Sequence, residues 1–453
     1  MKENPYDTED LIAALATPWA VSALAVVRTG GEGCIQALSG VFSRPEQVLK
    51  AESGTMVYGY LRDRSGRQVD QVILGVFRAG HGYTGQESIE IYCHGSLPGI
   101  QRILELLRAE GFRDAAPGEF TLRAFMNGKM DLTRAEAVQE IVTAKTRRAQ
   151  SLALNRLSGA VWEKIDAFKK QLTGILALIE VQLDYPEDEL DDVPELPLGE
   201  IRKIGMGIEE LLGTYRAGRL FQEGVSVALA GPTNAGKSSL FNMFLKEDRS
   251  IVSGVHGTTR DYIESWITIN GIPVRLFDTA GLRRAEHPVE AEGIKRSTMV
   301  IENAALVLYI VDGTLGISDR DREIVREHAD DQRYLFIWNK TDLAGFPVPD
   351  RWIPVSAETG EGFSTIEQEI GRRILGHNSG EGEVMIDSQR QQDLLLRSVR
   401  ALRQAELAAD DGMSFDFIAA DLKEALDALG EITGEVSSAD ILNRIFGDFC
   451  VGK

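Results

Sequence analysis

Apolar positions along the chain follow three successive rhythms. Up to about residue 120 they come in short runs, and "VSALAVVR", "QVILGVFR" and "IEIYC" predict strands. "GIQRILELLRAEG" spaces them three and four apart and predicts a helix closed by Gly111. "AAPGEFT" then interrupts with Pro and Gly. From about residue 131 the helical period takes over. "DLTRAEAVQEIVTAKTRRAQSLALNRLSG" predicts one long helix with Asp131 or Thr133 as cap, and "AVWEKIDAFKKQLTGILALIEVQL" a second one after Gly159. The acidic, Pro-containing "YPEDELDDVPELP" breaks the pattern.

Between residues 218 and 376 strands alternate with helices, the strands being "VSVALAG", "IPVRLFD", "ALVLYIVD" and "YLFIWNK". From about residue 385 the chain is helical again, through "QRQQDLLLRSVRALRQAELAA", "FDFIAADLKEALDALGEI" and "SSADILNRIFG". Two helical blocks flanking one α/β unit predict an α/β domain inserted into a helical domain. The fold class expected is therefore α/β plus α. An N-terminal α/β domain would span 1–120, a helical domain 121–217 and 379–453, and the inserted α/β domain 218–378.

Composition narrows the classes. Charged residues at 26% and hydrophobic ones at 43% fit a soluble globular chain of 453 residues. The longest apolar runs, such as "AALVLYIV", reach about half a membrane span, and "MKENPYDTED" carries no secretory pattern. Cys34, Cys93 and Cys450 share no metal-ligand spacing, and an odd, sparse set fits a reducing cytoplasm. A net charge of -20 argues against a broad nucleic-acid surface. The basic clusters "AKTRRAQ" and "FKKQL" read as solvated helix faces.

"GPTNAGKSS", Gly231 to Ser239, matches G-x-x-x-x-G-K-[ST] between a strand and a helix. Its glycines let backbone N–H groups curl around phosphate. Lys237 can reach the β/γ-phosphates, Ser238 can hold Mg²⁺, and the helix N-terminus adds positive potential. "DTAG" follows at Asp278, "NKTD" spans Asn339 to Asp342, and "SAETG" starts at Ser356. A carboxylate at Asp342 accepts from guanine N1–H and its exocyclic amine, a pair adenine lacks. The ordered set selects GTP. In "GVHGTTRD", Thr258 and Thr259 are switch candidates. The residue after "DTAG" is Leu282, which cannot orient water as a glutamine would. Arg283, Arg284, Glu286, Glu290 and a monovalent cation at Asn234 are the candidates for that work.

The motifs "YTGQESIEIYCHG", "PGEFTLRAFMNGKMDLTRAEAV", "GTTRD" and "DTAGLR", with the terminal "CVGK", resemble the MnmE (TrmE) family of bacterial tRNA-modification GTPases over essentially the whole chain. The resemblance implies a dimerising, folate-binding N-terminal domain and a Ras-like P-loop GTP-binding (G) domain inserted into the helical domain. It implies a homodimer that works with the flavoprotein MnmG (GidA), carrier of FAD, in a heterotetramer or larger complex. Together they place a carboxymethylaminomethyl or aminomethyl group on C5 of the wobble uridine of certain tRNAs. The one-carbon source is 5-formyl- or 5,10-methylene-tetrahydrofolate, with Mg²⁺ and K⁺ in the G domain.

Residue by residue, the resemblance assigns GTP binding to Asn234, Ala235, Gly236, Lys237, Ser238 and Ser239. It adds Ser253, Gly254, Val255, His256, Gly257, Thr258 and Thr259, then Asp278, Thr279, Ala280 and Gly281. Asn339, Lys340, Asp342, Ser356 and Ala357 complete that set. Mg²⁺ falls to Ser238 and Thr259, and K⁺ to Asn234, Ser253, Val255 and Thr258. Glu290 matches the glutamate that orients water indirectly, which leaves Arg283 an ion-pair residue. Arg28, Glu90, Lys129 and Lys453 match folate contacts. Cys450 is either a nucleophile in the modification or a small packed tail residue. At "TPWAVSA" many relatives have a Gly-rich loop, whereas this chain has Trp19, Ala20 and Ser22, so an altered loop near Arg28 is expected. The rival classes are a ribosome-assembly GTPase without modifying activity, a GTP-binding module without turnover, and a folate enzyme independent of GTP.

Overall fold

The structure is a computed structural model that describes residues 8–184, 196–246, 264–278, 298–343, 345–375, 384–436, 439–447 and 449–453. The chain forms two compact units. One comprises 1–139, 156–201 and 400–453, and the other comprises 140–155 and 202–399.

The first unit is built on strands β1 (Ile12–Leu15), β2 (Ser22–Gly30), β3 (Thr55–Arg62), β4 (Gln68–Phe77), β5 (Ser88–Gly95) and β6 (Arg113–Asp114), in the order β3-β4-β5-β2-β1-β6. All pairs are antiparallel except β1 with β6. Alternation along β5 sends Ile89, Ile91 and Cys93 into the core and Glu90, Tyr92 and His94 to the opposite face. The helix Leu97–Ala109 covers the inner face with Ile100, Ile103, Leu106 and Leu107, a spacing of one helical stripe. Ser96 starts it by accepting from the Gly99 N–H.

The outer face carries the lateral row Arg28, Glu90, Gly75 and Met56, and beside it Val26, Tyr92, Ile73 and Tyr58. Leu24, Met56, Tyr58 and Ile73 on that face are exposed. In the same unit, the helix Ala160–Asp184 packs along Phe415–Thr433.

The second unit holds β7 (Val225–Ala230), β8 (Glu264–Ile269), β9 (Ile272–Asp278), β10 (Leu306–Asp312), β11 (Tyr334–Asn339) and β12 (Trp352–Pro354), ordered β12-β11-β10-β7-β9-β8. All neighbours are parallel except β8 with β9. β10 and β11 are buried at every position, as strands covered on both faces must be. The helices Lys237–Lys246 and Phe363–Leu375 meet through Phe244 and Phe363, whose ring centroids are 4.7 Å apart.

The single long helix expected from residue 131 is instead two, Leu132–Thr143 and Arg147–Ser158. Asp131 does cap the first, accepting from the N–H groups of Thr133 and Arg134. The break comes from Thr146. Its hydroxyl accepts from the Ala149 N–H at 3.1 Å and donates to the Gly271 carbonyl at 2.9 Å, so it starts a new helix and grips the β8–β9 turn. Lys145 adds a cation–π contact with Trp266 on β8, at 3.5 Å from the ring centroid. Strands β1, β3, β8 and β12 and the helices Leu198–Gly213 and Tyr215–Glu223 were not evident from periodicity.

Ile103 is fully buried beneath the first sheet. Ile103→Ala is expected to cost about 2–5 kcal/mol in urea unfolding. A loss below about 1 kcal/mol would mean that this face is loosely packed.

Candidate functional site

In the second unit, the parallel strands bring their carboxyl ends together, where open α/β sheets bind ligands. The loop after β7 takes positive φ at Gly231, Asn234 and Gly236, values of 128°, 64° and 96°. A Cβ at Gly236 would lie 2.0 Å from Asn339 Nδ2, so only glycine lets the loop press against β11. Asn339 is fully buried. Its Nδ2 donates to the Ala235 carbonyl at 2.8 Å and its Oδ1 accepts from the Ala357 N–H at 3.1 Å. One amide thus joins the phosphate loop to the "SAETG" loop.

Lys237, 5% exposed, donates to the carbonyls of Gly231 and Pro232 at 2.9 and 2.6 Å, which aims its ammonium into the loop. Ser238 Oγ donates to Asp278 Oδ2 at 2.8 Å. A hydroxyl and a carboxylate side by side are hard oxygen donors suited to Mg²⁺. Asp342 Oδ1 accepts from Ser356 Oγ at 2.6 Å, which orients the carboxylate expected to read guanine. Lys340 adopts φ +66°, which costs a non-glycine residue on the order of 1 kcal/mol. Its ammonium donates to Asp312 Oδ2 at 2.5 Å. Burial alone would raise the Asp312 pKa, but the hydrogen bonds from Lys340 and Thr314 together hold it below the ordinary carboxylate range. Asp312 was not singled out in the sequence, because its place beside "NKTD" comes from the pairing of β10 with β11.

Ser253, Gly254, Val255, His256, Gly257, Thr258, Thr259, Thr279, Ala280, Gly281 and Glu290 lie outside the described residues. Asn234 is exposed at the lip of the phosphate loop.

A second cluster forms on the first unit. Arg28 and Glu90 are direct cross-strand partners, joined from Nε and Nη2 to Oε1 at 3.1 and 2.9 Å. Arg28 Nη1 donates to the Gly452 carbonyl at 3.1 Å. Its guanidinium lies over the rings of Tyr83 and Phe120, 5.3 and 5.7 Å from their centroids. Tyr92 donates to the other Glu90 oxygen at 2.8 Å. Burial, with the Glu90 carboxylate second, pushes the Tyr92 phenol pKa up. Burial also pushes up that of Tyr83, whose hydroxyl meets Thr121 Oγ1 at 2.8 Å. Lys453 is brought to the same place: burial first, then the Arg28 charge, lower its pKa. Lys129 is exposed and donates to the Gly80 carbonyl at 2.7 Å, at the base of the loop that carries Tyr83. Tyr83 and Phe120 lie inside the motifs read from the sequence but were not singled out.

The tail is anchored, not frayed. Phe446 and Phe449 are buried with Leu122, Leu132 and Val138. The N–H groups of Gly118 and Phe120 donate to the Cys450 and Lys453 carbonyls. Gly452, at φ +90°, passes so close to β1 that a Cβ would meet the Leu15 carbonyl oxygen at 2.7 Å. The "TPWAVSA" loop closes without positive φ at Ala20. The irregularity is taken up by a register shift between Ser22 and Leu24, and Trp19 and Val21 are left exposed.

The model of the GTP-binding protein TrmE N-terminus matches residues 11–129, and that of the MnmE helical domain matches 132–450. The tRNA modification GTPase MnmE of Borrelia recurrentis is 41% identical over 462 residues, covering 99% of each chain. The chain belongs to the MnmE family. It is a GTP hydrolase of tRNA modification, with the N-terminal, helical and P-loop parts of that family. The MnmE of Carboxydothermus hydrogenoformans is 40% identical over 460 residues, 98% of this chain and all of the relative. The crystal structure of a point variant of Aquifex aeolicus Era bound to GDP·AlF4⁻ is similar at 24% identity over 39% of this chain and 66% of that one, with a TM-score of 0.27. No helix among the described residues is long and apolar enough to cross a membrane.

The three thiols of this MnmE-family chain differ in access. Burial pushes the Cys34 pKa up to about 12 and that of Cys93 up to about 11, whereas Cys450 is exposed. At pH 8 a thiol reagent is expected to modify one cysteine in the native protein and all three in denaturant. Mass mapping of the native adduct to Cys34 or Cys93 would contradict the packing described.

Proposed function

We propose that this chain is a potassium-activated GTPase that acts with MnmG to add a carboxymethylaminomethyl or aminomethyl group to C5 of the wobble uridine of certain tRNAs. The observation that carries the reading is the Arg28–Glu90 cluster closed by the chain's own tail. A GTPase that only regulates assembly has no use for it. The pair offers a carboxylate for an aminopyrimidine edge and a guanidinium for an anionic or carbonyl group, between the aromatic rings of Tyr83 and Phe120. That donor set suits 5-formyl- or 5,10-methylene-tetrahydrofolate, which would supply the one-carbon unit, with FAD on MnmG supplying redox chemistry. Lys129 and Lys453 would meet the folate's carboxylates. Cys450, held by its carbonyl to Gly118, is the candidate nucleophile.

In the nucleotide site Lys237 binds the β/γ-phosphates, Ser238 and Thr259 hold Mg²⁺, and Asp342 reads guanine. Asn234, Ser253, Val255 and Thr258 would hold K⁺, whose charge stands in for an arginine finger. Glu290 orients water, a role that Leu282 cannot fill. The domains would be 1–120, 121–217 with 379–453, and 218–378. The outer sheet face, with exposed Leu24, Met56, Tyr58 and Ile73 beside Arg28, supports a homodimer. With a net charge of -20, MnmG would supply much of the tRNA-binding charge. The reading places the protein in the cytoplasm.

Steady-state GTP hydrolysis in KCl and in NaCl at equal ionic strength tests the G-domain part. K⁺ is expected to accelerate turnover about a hundredfold, and Asn234→Ala to remove that acceleration. Equal rates in the two salts would return the catalytic role to Arg283.

Arg28→Ala tests the other half. It is expected to weaken tetrahydrofolate binding about tenfold or more and to abolish tRNA modification with MnmG, at unchanged GTP turnover. Full modification by that variant would overturn the folate assignment.

A further inference from the structure

We propose that Asp312 is a positioning residue for guanine recognition: it sets the aim of Asp342 through the backbone of Lys340. The inference rests on the reading that Asp342 accepts from the guanine base.

The loop that reads the base is fixed at both ends. Asn339 is tied to Ala235 and Ala357, and Asp342 is tied to Ser356 Oγ. Only Lys340 and Thr341 lie between these points. Lys340 reverses the chain with φ +66°, a conformation that a lysine abandons unless its surroundings impose it. Asp312 imposes it. Its Oδ2 accepts from the Lys340 ammonium, while its Oδ1 accepts from the Thr314 N–H at 3.0 Å and hydroxyl at 2.6 Å. The Asp312 side chain is 10% exposed and cannot swing away without losing all three bonds.

The backbone repeats the link. The Gly313 N–H donates to the Asn339 carbonyl at 2.9 Å. A Cβ at Gly313 would lie 2.4 Å from Trp338 Nε1, so the β10 turn is pressed against the β11 turn. The Lys340 ammonium is thereby directed toward β10. Without its anchor, Lys340 relaxes toward right-handed φ and carries the Asp342 carboxylate off the line of the base.

An ordinary stabilising ion pair predicts a different outcome, and two nucleotides separate the cases. GDP offers both N1–H and the exocyclic amine, whereas IDP offers N1–H alone. A carboxylate held in aim gains from the second donor, and one set loose gains less. Full-length protein is titrated with GDP and with IDP, with thermal melting as the control for folding.

Asp312→Asn is expected to raise the GDP Kd about tenfold and the IDP Kd about threefold, so the preference for GDP shrinks about threefold. Thr314→Val removes one restraint on the Asp312 carboxylate and leaves both charges in place. It is expected to shift the ratio in the same direction by less, and it stands in if Asp312→Asn does not fold. Equal losses for GDP and IDP in both variants would overturn the inference. Asp342→Ala separates it from the underlying reading. If that change leaves the GDP preference intact, Asp342 does not read the base. If it abolishes the preference while Asp312→Asn and Thr314→Val do not alter it, only the role of Asp312 fails.

Discussion

The nucleotide site depends on the buried amide of Asn339. It is the point where three loops that are distant in sequence exert force on one another. Its two ends satisfy the Ala235 carbonyl and the Ala357 N–H, groups that close packing removes from water. Gly236 has no side chain because that amide occupies the space. The phosphate loop and the base loop are therefore not independent motifs on one scaffold. A shift of β11 along its own axis would misplace Lys237 and Asp342 together. The parallel sheet resists that shift because β10 and β11, buried at every position, share a continuous six-residue register.

The Arg28–Glu90 cluster is built on a different principle. Arg28 and Glu90 face each other because antiparallel register places them there, and the strand period puts both on the outer face. Their surroundings come from a tail more than 350 residues further on. Aromatic burial of Phe446 and Phe449 holds that tail, and the backbone of a tight turn at Gly118 receives it. A buried ionic network stiffens the receiver. Glu119, wholly buried in side chain, accepts from Arg113 and Arg123 as well as from the Ala116 N–H. Glu119 and Arg123 are thus occupied in shaping the turn, and Arg28 and Glu90 remain turned outward. The polar residues of "PGEFTLRAF", Glu119, Thr121 and Arg123, are all engaged within the fold.

What the sequence disclosed follows from the range of each signal. "GPTNAGKSS", "NKTD" and the four central strands were legible because each is local: a glycine pattern or an apolar run carries its own meaning. The edge strands β8 and β12 were not, since one half-covered strand and one of three residues have too little periodicity to stand out. The break at Thr146 was invisible for another reason. The helical pattern continues through residues 144–146, and the Thr146 cap on Ala149 prevails over it with the help of the Gly271 carbonyl, 125 residues later. Asp312, Tyr83 and Phe120 are of the same kind. Their roles are defined by partners across a sheet or in another loop, and no spacing within the chain encodes them.

The grip of Thr146 on the β8–β9 turn ties the start of the helix Arg147–Ser158 to the hairpin whose strand β9 ends beside Ser238. β9 ends at Asp278, which holds Ser238, and β8 is its antiparallel partner along the whole hairpin. The other end of that hairpin is the turn Asn270–Gly271. There it meets the Thr146 hydroxyl, the Arg148 side chain packed on Gly271, and Lys145 over Trp266. Desolvation, then repulsion from Arg275, lowers the Lys145 pKa, so this ammonium is held close to the ring at some electrostatic cost. The helical segment 140–155 is therefore joined to the hairpin whose strand β9 ends at Asp278, and Leu152 also joins it to the core that holds Phe241 and Phe244 of the helix after the phosphate loop. A helix running unbroken through residues 144–146 would have no hydroxyl at its end to hold that hairpin. The break that periodicity failed to disclose is what places that hydroxyl on the hairpin.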